Sequence, residues 1–326
     1  MGRPLRVAFV YLGGRLPKYA VHNLTSLVDR FPNLNIVLIS DISENDIVEG
    51  IEFFSFDSSR ISHEFASKSS LNSEFRNGFW IHTMTRFGAL SSYMNSQPQI
   101  SLLHFELDVW IADNFPFNVF ERVNAETSFS LPSLSEGSAA VLFLRDFDSS
   151  IKLSYIFSEI AQKKPGSTDM TILREIHDSK LMDVEVLPIS PDEGKVSLFN
   201  GYIFDPSTWG MYFFGQDPRN ARGLQFFHRQ ESHHLVQPAN YEVKSNGHII
   251  KVHNKSESAF LVNLHIHSKD LRVFGRQRNE ARHIQKYLDN QGASEFSEFR
   301  LKIFVDLLAR KILKELKKRI GYRAHE

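Results

Sequence analysis

The chain has 326 residues, 42% of them hydrophobic, with 38 basic residues balancing 38 acidic ones and no cysteine. That length suits one large α/β domain or two smaller ones. Charge balance argues against a surface given over to nucleic acid, and the lack of cysteine excludes disulfides, thiolate metal sites and cysteine nucleophiles.

The first apolar run, Val7–Leu12, is too short for a signal-peptide core or a membrane span and reads as a core strand over Arg6–Leu12. Gly13-Gly14 follows as a turn. Tyr19–Phe31 has helical spacing, with Val21, Leu24, Leu27 and Val28 on one face. Asn35–Ser40 is a second buried strand ending at Asp41. Strand, helix and strand in this order predict a βαβ unit in a parallel sheet. Gly13-Gly14 lacks the G-x-G-x-x-G pattern, which argues against a dinucleotide site.

Ser58–Ser73 is serine-rich and reads as a surface loop or a short helical insert. Phe79–Met94 reads as a helix feeding the run Ile100-Ser-Leu-Leu-His104-Phe-Glu106-Leu-Asp108-Val-Trp110. Ala139–Leu144 is a further strand, ending at Arg145-Asp146. Ser167-Thr168-Asp169-Met170 opens a helix through about Ile176. Gly201–Gly223, rich in glycine, proline and aromatics, reads as a long ordered loop. Ala259–His267 is a late strand ending in His265-Ile-His267-Ser-Lys269. No run of about 18 apolar residues occurs, so no spanning helix is expected.

From about Ser294 the chain reads as an amphipathic helix with an apolar stripe of Leu301, Phe304 or Val305, Leu308, Ile312 and Leu316. Between Arg310 and Arg323 seven lysines or arginines face one glutamate. Two readings stand: a capping helix with a solvated basic face, or an anchor on an anionic membrane surface.

Glu106 and Asp108 close an apolar run at i, i+2 spacing, so an extended backbone puts both on one side. Two solvated acids capping a turn would explain them. The chemical alternative is a divalent cation held at the mouth of an open sheet. His265 and His267 alternate in the same way, and imidazole suits manganese and other transition metals. Lys269 beside them offers a compact charge for phosphate. Asp169 is either an N-cap carboxylate or a group facing a sugar. Arg86, midway along its helix, is either a surface ion pair or a diphosphate contact. Asp146 and Asp148 could enlarge the acidic set toward a two-metal hydrolase or nucleotidyltransferase.

At these residues the chain resembles bacterial GT-A-fold glycosyltransferases, metal-dependent enzymes that use nucleotide-sugars. His104-Phe-Glu106-Leu-Asp108-Val109 looks like their D-x-D element, with glutamate in the first place. Arg86-Phe87 resembles the helix that contributes to the donor sugar, and Thr168-Asp169-Met170 the element whose aspartate lies beside donor sugar and acceptor. Phe204-Asp205-Pro206 through Gly210, and Gly215-Gln-Asp217-Pro-Arg219-Asn220, resemble a loop of polysaccharide-associated relatives. His265-Ile-His267-Ser-Lys269 is similar to the C-terminal H-x-H-x-K element.

The resemblance implies a Rossmann-type α/β fold, with a mixed, mainly parallel sheet between helices, over residues 1–290. Residues 291–326 would form the basic helical extension. It implies a Mn²⁺ or Mg²⁺ site from Glu106, Asp108 and one or both of His265 and His267, with His267 the favoured ligand. The nucleotide would meet Tyr11, Gly13 and Asp41, and the donor would also meet Glu106, Asp217 and Lys269. Asp169 and Arg86 would serve the chemistry. The implied substrates are a nucleotide-sugar, expected to be a UDP-sugar, and a glycan or lipid-linked acceptor. The basic C-terminal helix, read as an anchor, points to the cytoplasm, with the protein peripheral on the inner membrane face. The alternatives are a non-catalytic nucleotide-sugar or glycan binder on the same scaffold, and the two-metal hydrolase or nucleotidyltransferase.

Overall fold

The computed structural model describes residues 3–41, 48–72, 74–76, 78–214, 234–246 and 249–267. Lys269, the Gly215–Asn220 motif with Asp217, and the whole C-terminal extension lie outside them.

A seven-stranded sheet forms the centre. It holds β1 (Leu5–Tyr11), β2 (Ile36–Ser40), β3 (Glu52–Ser55), β4 (Ser101–Phe105), β6 (Thr127–Ser130), β7 (Ser138–Leu144) and β8 (Val184–Val186). Their spatial order is β3-β2-β1-β4-β7-β6-β8. β7 pairs antiparallel with both β4 and β6, while the other pairings are parallel. The sheet is therefore mixed and mainly parallel, as expected. β2 and β4 are buried at every residue, which is why they are mostly apolar and show no in–out alternation.

One face of the sheet is covered by α2 (Ser59–Lys68), α3 (Phe79–Ser96), α4 (Phe147–Lys163) and α5 (Asp169–Asp178), through Phe65, Met84, Phe87, Phe157 and Ile172. The other face is covered by α1 (Lys18–Arg30), through Leu24 and Leu27, and by a group of phenylalanines. Rings of Phe115, Phe120, Phe199 and Phe204 meet at centroid distances of 5.5–6.0 Å. These packed rings account for part of the high phenylalanine content. The buried face of α1 runs through Ala20, Asn23, Leu24 and Leu27, and Val21, expected on that face, is exposed.

The segment expected as one late strand is two. β12 (Ser258–Leu261) and β13 (Asn263–His265) part at Val262 and join different sheets. β12 belongs to a four-stranded sheet with β9 (Tyr202–Ile203), β10 (Glu242–Asn246) and β11 (Ile249–His253). β13 pairs antiparallel with β5 (Val109–Ile111), putting His265 opposite Val109. The expected loop at Gly201–Gly223 contains β9 and a short helix, α6 (Thr208–Phe214). Trp110, Trp209, Ile250, Leu261 and Leu264 fill a third core between these parts. The serine-rich segment takes the helical form, as α2.

Candidate active site

Parallel strands bring their C-terminal ends to one edge, and in open α/β sheets that edge binds ligands. β1, β2 and β4 run parallel, so Tyr11–Gly14, Asp41 and Glu106–Asp108 all leave the sheet at that edge. β7 runs the other way, which carries Asp146 to the opposite edge. There Asp146 caps α4, accepting the Ser149 amide at 2.9 Å and Arg145 Nε at 3.0 Å. The sheet's one antiparallel strand thus removes Asp146 and Asp148 from the Glu106–Asp108 edge. They do not enlarge that cluster into a two-metal set.

Glu106 and Asp108 do lie together, but not by strand alternation. β4 ends at Phe105, and a turn closed by the Val109 amide on the Glu106 carbonyl, at 3.0 Å, separates it from β5. α1 grips this turn. Asn23 Nδ2 donates to the carbonyls of Leu107 (3.1 Å) and Val109 (2.8 Å). Two helical turns on, Arg30 Nη1 donates to the Ile111 carbonyl at 2.5 Å. From the other side the Ile266 amide donates to the Asp108 carbonyl at 2.8 Å.

The β5–β13 pairing then delivers His265. Its Nε2 is 3.1 Å from Glu106 Oε2 and 3.2 Å from Asp108 Oδ1, and its Nδ1 is 3.1 Å from the Pro206 carbonyl. One ligand atom from each of Glu106, Asp108 and His265 falls within 4.8 Å of the others, and among the described residues this is the only such group. His267, the favoured imidazole, stands outside the group with its ring against that of His265, centroids 4.3 Å apart. The reason is local: β13 ends at His265, so the alternation that would have aligned the two histidines stops there.

Arg86 binds both Glu106 and Asp169, one through each terminal nitrogen of its guanidinium. Arg86 and Asp169 are buried. A Thr168–Thr171 capping box starts α5 and sets Asp169 in its first turn. Arg86 is therefore already engaged between two carboxylates, and any contact with a diphosphate would have to be made around them. Beneath the site His104 is buried, its Nδ1–H donating to the Ala8 carbonyl at 3.1 Å while Nε2 has no hydrogen-bond partner among the described residues.

Charge follows these contacts. Burial would neutralise Arg86, but Glu106 and Asp169 outweigh it and hold the guanidinium charged. Burial likewise opposes ionisation of Glu106, and Arg86 and His265 overcome it, keeping that carboxylate well below its usual range. For Asp169 burial prevails over Arg86 and raises its value. His265, though buried, is raised well above its ordinary value by Asp108 and Glu106. Without a metal the imidazolium bridges the two acids. His104 goes the other way, lowered to about 3 by burial and by the Arg86 charge.

At the ends of β1 and β2, Asp41 accepts the Gly13 amide at 3.0 and 3.2 Å and the Ser58 hydroxyl at 2.7 Å. Gly13 holds φ +91°, and a side chain there would strike His82, 2.5 Å from the ideal Cβ position. Tyr11 donates its hydroxyl to the Arg15 carbonyl at 2.9 Å. Burial and the Asp41 charge raise the Tyr11 phenol. These three residues form a small, ordered ledge on the same edge as the acid–histidine group.

The donor set suits a divalent cation. Two carboxylates and one imidazole leave room for further oxygen ligands, and mixed O and N donors favour manganese over magnesium. Sequence reasoning missed two residues that build the site. Asn23 sits on the buried face of α1, where an amide side chain among apolar residues was the available signal. Asp205 was read only as part of a loop.

No protein-family model matches the sequence, and no curated protein matches it. Among solved structures, the galactosyltransferase LgtC in complex with donor and acceptor sugar analogues is 16% identical, over 56% of this chain and 73% of its own, at a TM-score of 0.40. Mouse xyloside xylosyltransferase 1 in its apo form is 11% identical, over 60% and 92%, at 0.39. GlyE of Streptococcus pneumoniae is 12% identical, over 60% and 50%, at 0.34. At these scores the likeness decides neither family nor activity.

Proposed function

We propose that the protein is a metal-dependent glycosyltransferase that takes a nucleotide-sugar donor. The observation that carries the reading is the meeting of Glu106, Asp108 and His265 within 4.8 Å at the C-terminal edge of a mainly parallel sheet. Arg86 and Asp169 are fixed against the same group.

A bound Mn²⁺ or Mg²⁺ would neutralise the donor diphosphate as it leaves. The chain's own residues would do the rest. Glu106, Asp108 and His265 would hold the cation, with the imidazole neutral and its Nε2 free of a proton. The Tyr11–Gly13–Asp41 ledge receives the nucleoside, with the bare Gly13 backbone allowing close approach. Arg86 fixes Glu106 and Asp169 in place and keeps a positive charge beside them. Asp169 faces the sugar, as a base toward the acceptor hydroxyl or as a stabiliser of the cationic sugar centre. Lys269 and Asp217 would complete the phosphate and donor contacts from outside the described residues. The acceptor would be a glycan or lipid-linked saccharide. The basic C-terminal extension would bring the enzyme to an anionic membrane surface, and among the described residues no helix is long and apolar enough to cross a membrane.

The deciding test is a panel of UDP-, GDP- and CMP-sugars incubated with the full chain with and without Mn²⁺. Metal-dependent release of a nucleoside diphosphate from at least one donor is expected. Tight donor binding without turnover toward any acceptor would make the protein a binder on the same scaffold. Release of nucleoside monophosphate with sugar phosphate would make it a hydrolase.

A further inference from the structure

Asp205 is wholly buried, yet no cation pairs with its carboxylate among the described residues. Four backbone amides satisfy it. Oδ1 accepts Ser207 and Trp209, each at 2.9 Å, and Oδ2 accepts Gly210 at 2.7 Å and His265 at 2.9 Å. Three of these donors are within five residues and are what a turn leading into a helix requires. The fourth is 60 residues away in sequence, and it is the backbone of the imidazole that meets Glu106 and Asp108.

The rest of the turn holds the same residue. The Pro206 carbonyl accepts His265 Nδ1 at 3.1 Å, which commits the proton to Nδ1 and turns Nε2 toward the two acids. Gly210 packs on the His265 carbonyl so closely that an added Cβ would lie 1.9 Å from its oxygen. Asn263 ties the two segments reciprocally, accepting the Asp205 amide at 3.0 Å and donating to its carbonyl at 2.9 Å. Ser207, buried, is held at φ +148°, a conformation that side-chain-bearing residues seldom adopt. His265 is thus fixed at its amide, its carbonyl and its ring by one six-residue turn.

We propose that Asp205 is the positioning residue of the metal site: through the 205–210 turn it sets the location and ring tautomer of His265. This rests on the metal reading above. It is a role apart from stabilising the fold, and the two can be separated.

The test compares three variants of the full chain. Asp205→Asn keeps the shape but leaves one acceptor oxygen, so two of the four amides face an NH₂ group. Gly210→Ala keeps the carboxylate and displaces the His265 backbone. Asp146→Asn removes a helix-capping carboxylate at the opposite sheet edge and serves as the structural control. Calorimetric Mn²⁺ binding should weaken about 10- to 100-fold in the first two and stay unchanged in the control. In metal-free protein brought above the raised His265 value, where the ring is neutral and has a tautomer, ¹⁵N shifts of the His265 ring, assigned with His265→Gln, should lose their Nδ1–H signature in Asp205→Asn only. Unchanged affinity and ring shifts in folded Asp205→Asn overturn the proposal. So does an equal loss in Asp146→Asn, or unfolding of both Asp205→Asn and Gly210→Ala. Failure of the parent protein to bind Mn²⁺ would instead sink the metal reading, and the ring shifts would still decide what positions His265.

Discussion

Asn23 on α1 donates its side-chain amide to the Val109 carbonyl at 2.8 Å, so the helix after the first strand holds the turn that presents the acids. Asn23→Leu keeps the branched outline and removes the donor from two buried carbonyls. A loss of about 1–3 kcal/mol is expected. Equilibrium denaturation would measure it, and a variant as stable as the parent would show that the clamp contributes nothing.

Asp108→Asn should leave the fold intact, because the turn is held by the backbone carbonyls of Glu106 and Asp108 and not by the carboxylate. Metal-dependent turnover should fall at least about 100-fold, the scale of losing charge stabilisation in a transition state. Normal turnover by this variant in metal-free buffer would remove the acid pair from the chemistry.

Mn²⁺ and a proton should compete at His265. The imidazole is raised well above its ordinary 6.5 by Asp108 and Glu106. The stability it lends the metal-free protein is therefore full below pH 6.5 and is lost as pH climbs through the raised value. Metal must displace that proton. Affinity should rise about tenfold per pH unit below the raised value, with release of about one proton per ion. Calorimetry in buffers of differing ionisation enthalpy reads both, and a pH-independent affinity with no proton release would exclude His265 as a ligand.

His104 predicts a different acid response. Its folded value is near 3 against an ordinary 6.5, through burial and the Arg86 charge. A lowered imidazole means that the unfolded chain takes up the proton first as pH falls, so stability drains between about pH 6.5 and 3. From pH 7 to 5 the loss should be about 2 kcal/mol. His104→Asn can keep a donor to Ala8 and should flatten that slope. If the slopes of parent and variant coincide, His104 does not carry it.

The basic extension can be tested apart from the catalytic site. Deleting residues after Ser294 should release the protein from anionic vesicles while leaving neutral vesicles unbound in both forms. Co-sedimentation measures it. Equally poor binding of both forms would reduce the extension to packing.

The strands β1, β2, β4 and β7 and the helices α1, α3 and α5 were legible because strands buried in the middle of a sheet are rich in apolar residues and amphipathic helices show their period. The short strands β5, β8 and β9 carry two or three residues each, too few for any period to emerge. Glu106, Asp108 and Asp169 stood out because acids that end or begin apolar elements are conspicuous in a sequence. Val21 was misplaced because neighbouring apolar residues on a helix edge differ only in what packs against them.

Local patterning determined that this chain builds a mainly parallel α/β sheet with acids at the end of a central strand, because burial and backbone periodicity act over a few residues. Only the tertiary structure decided which imidazole meets those acids, that Arg86 lies between Glu106 and Asp169, and that Asp146 faces the other way. Those outcomes depend on strand direction and on where β13 ends. Such relationships are set by pairings between segments distant in sequence, and no local preference encodes them.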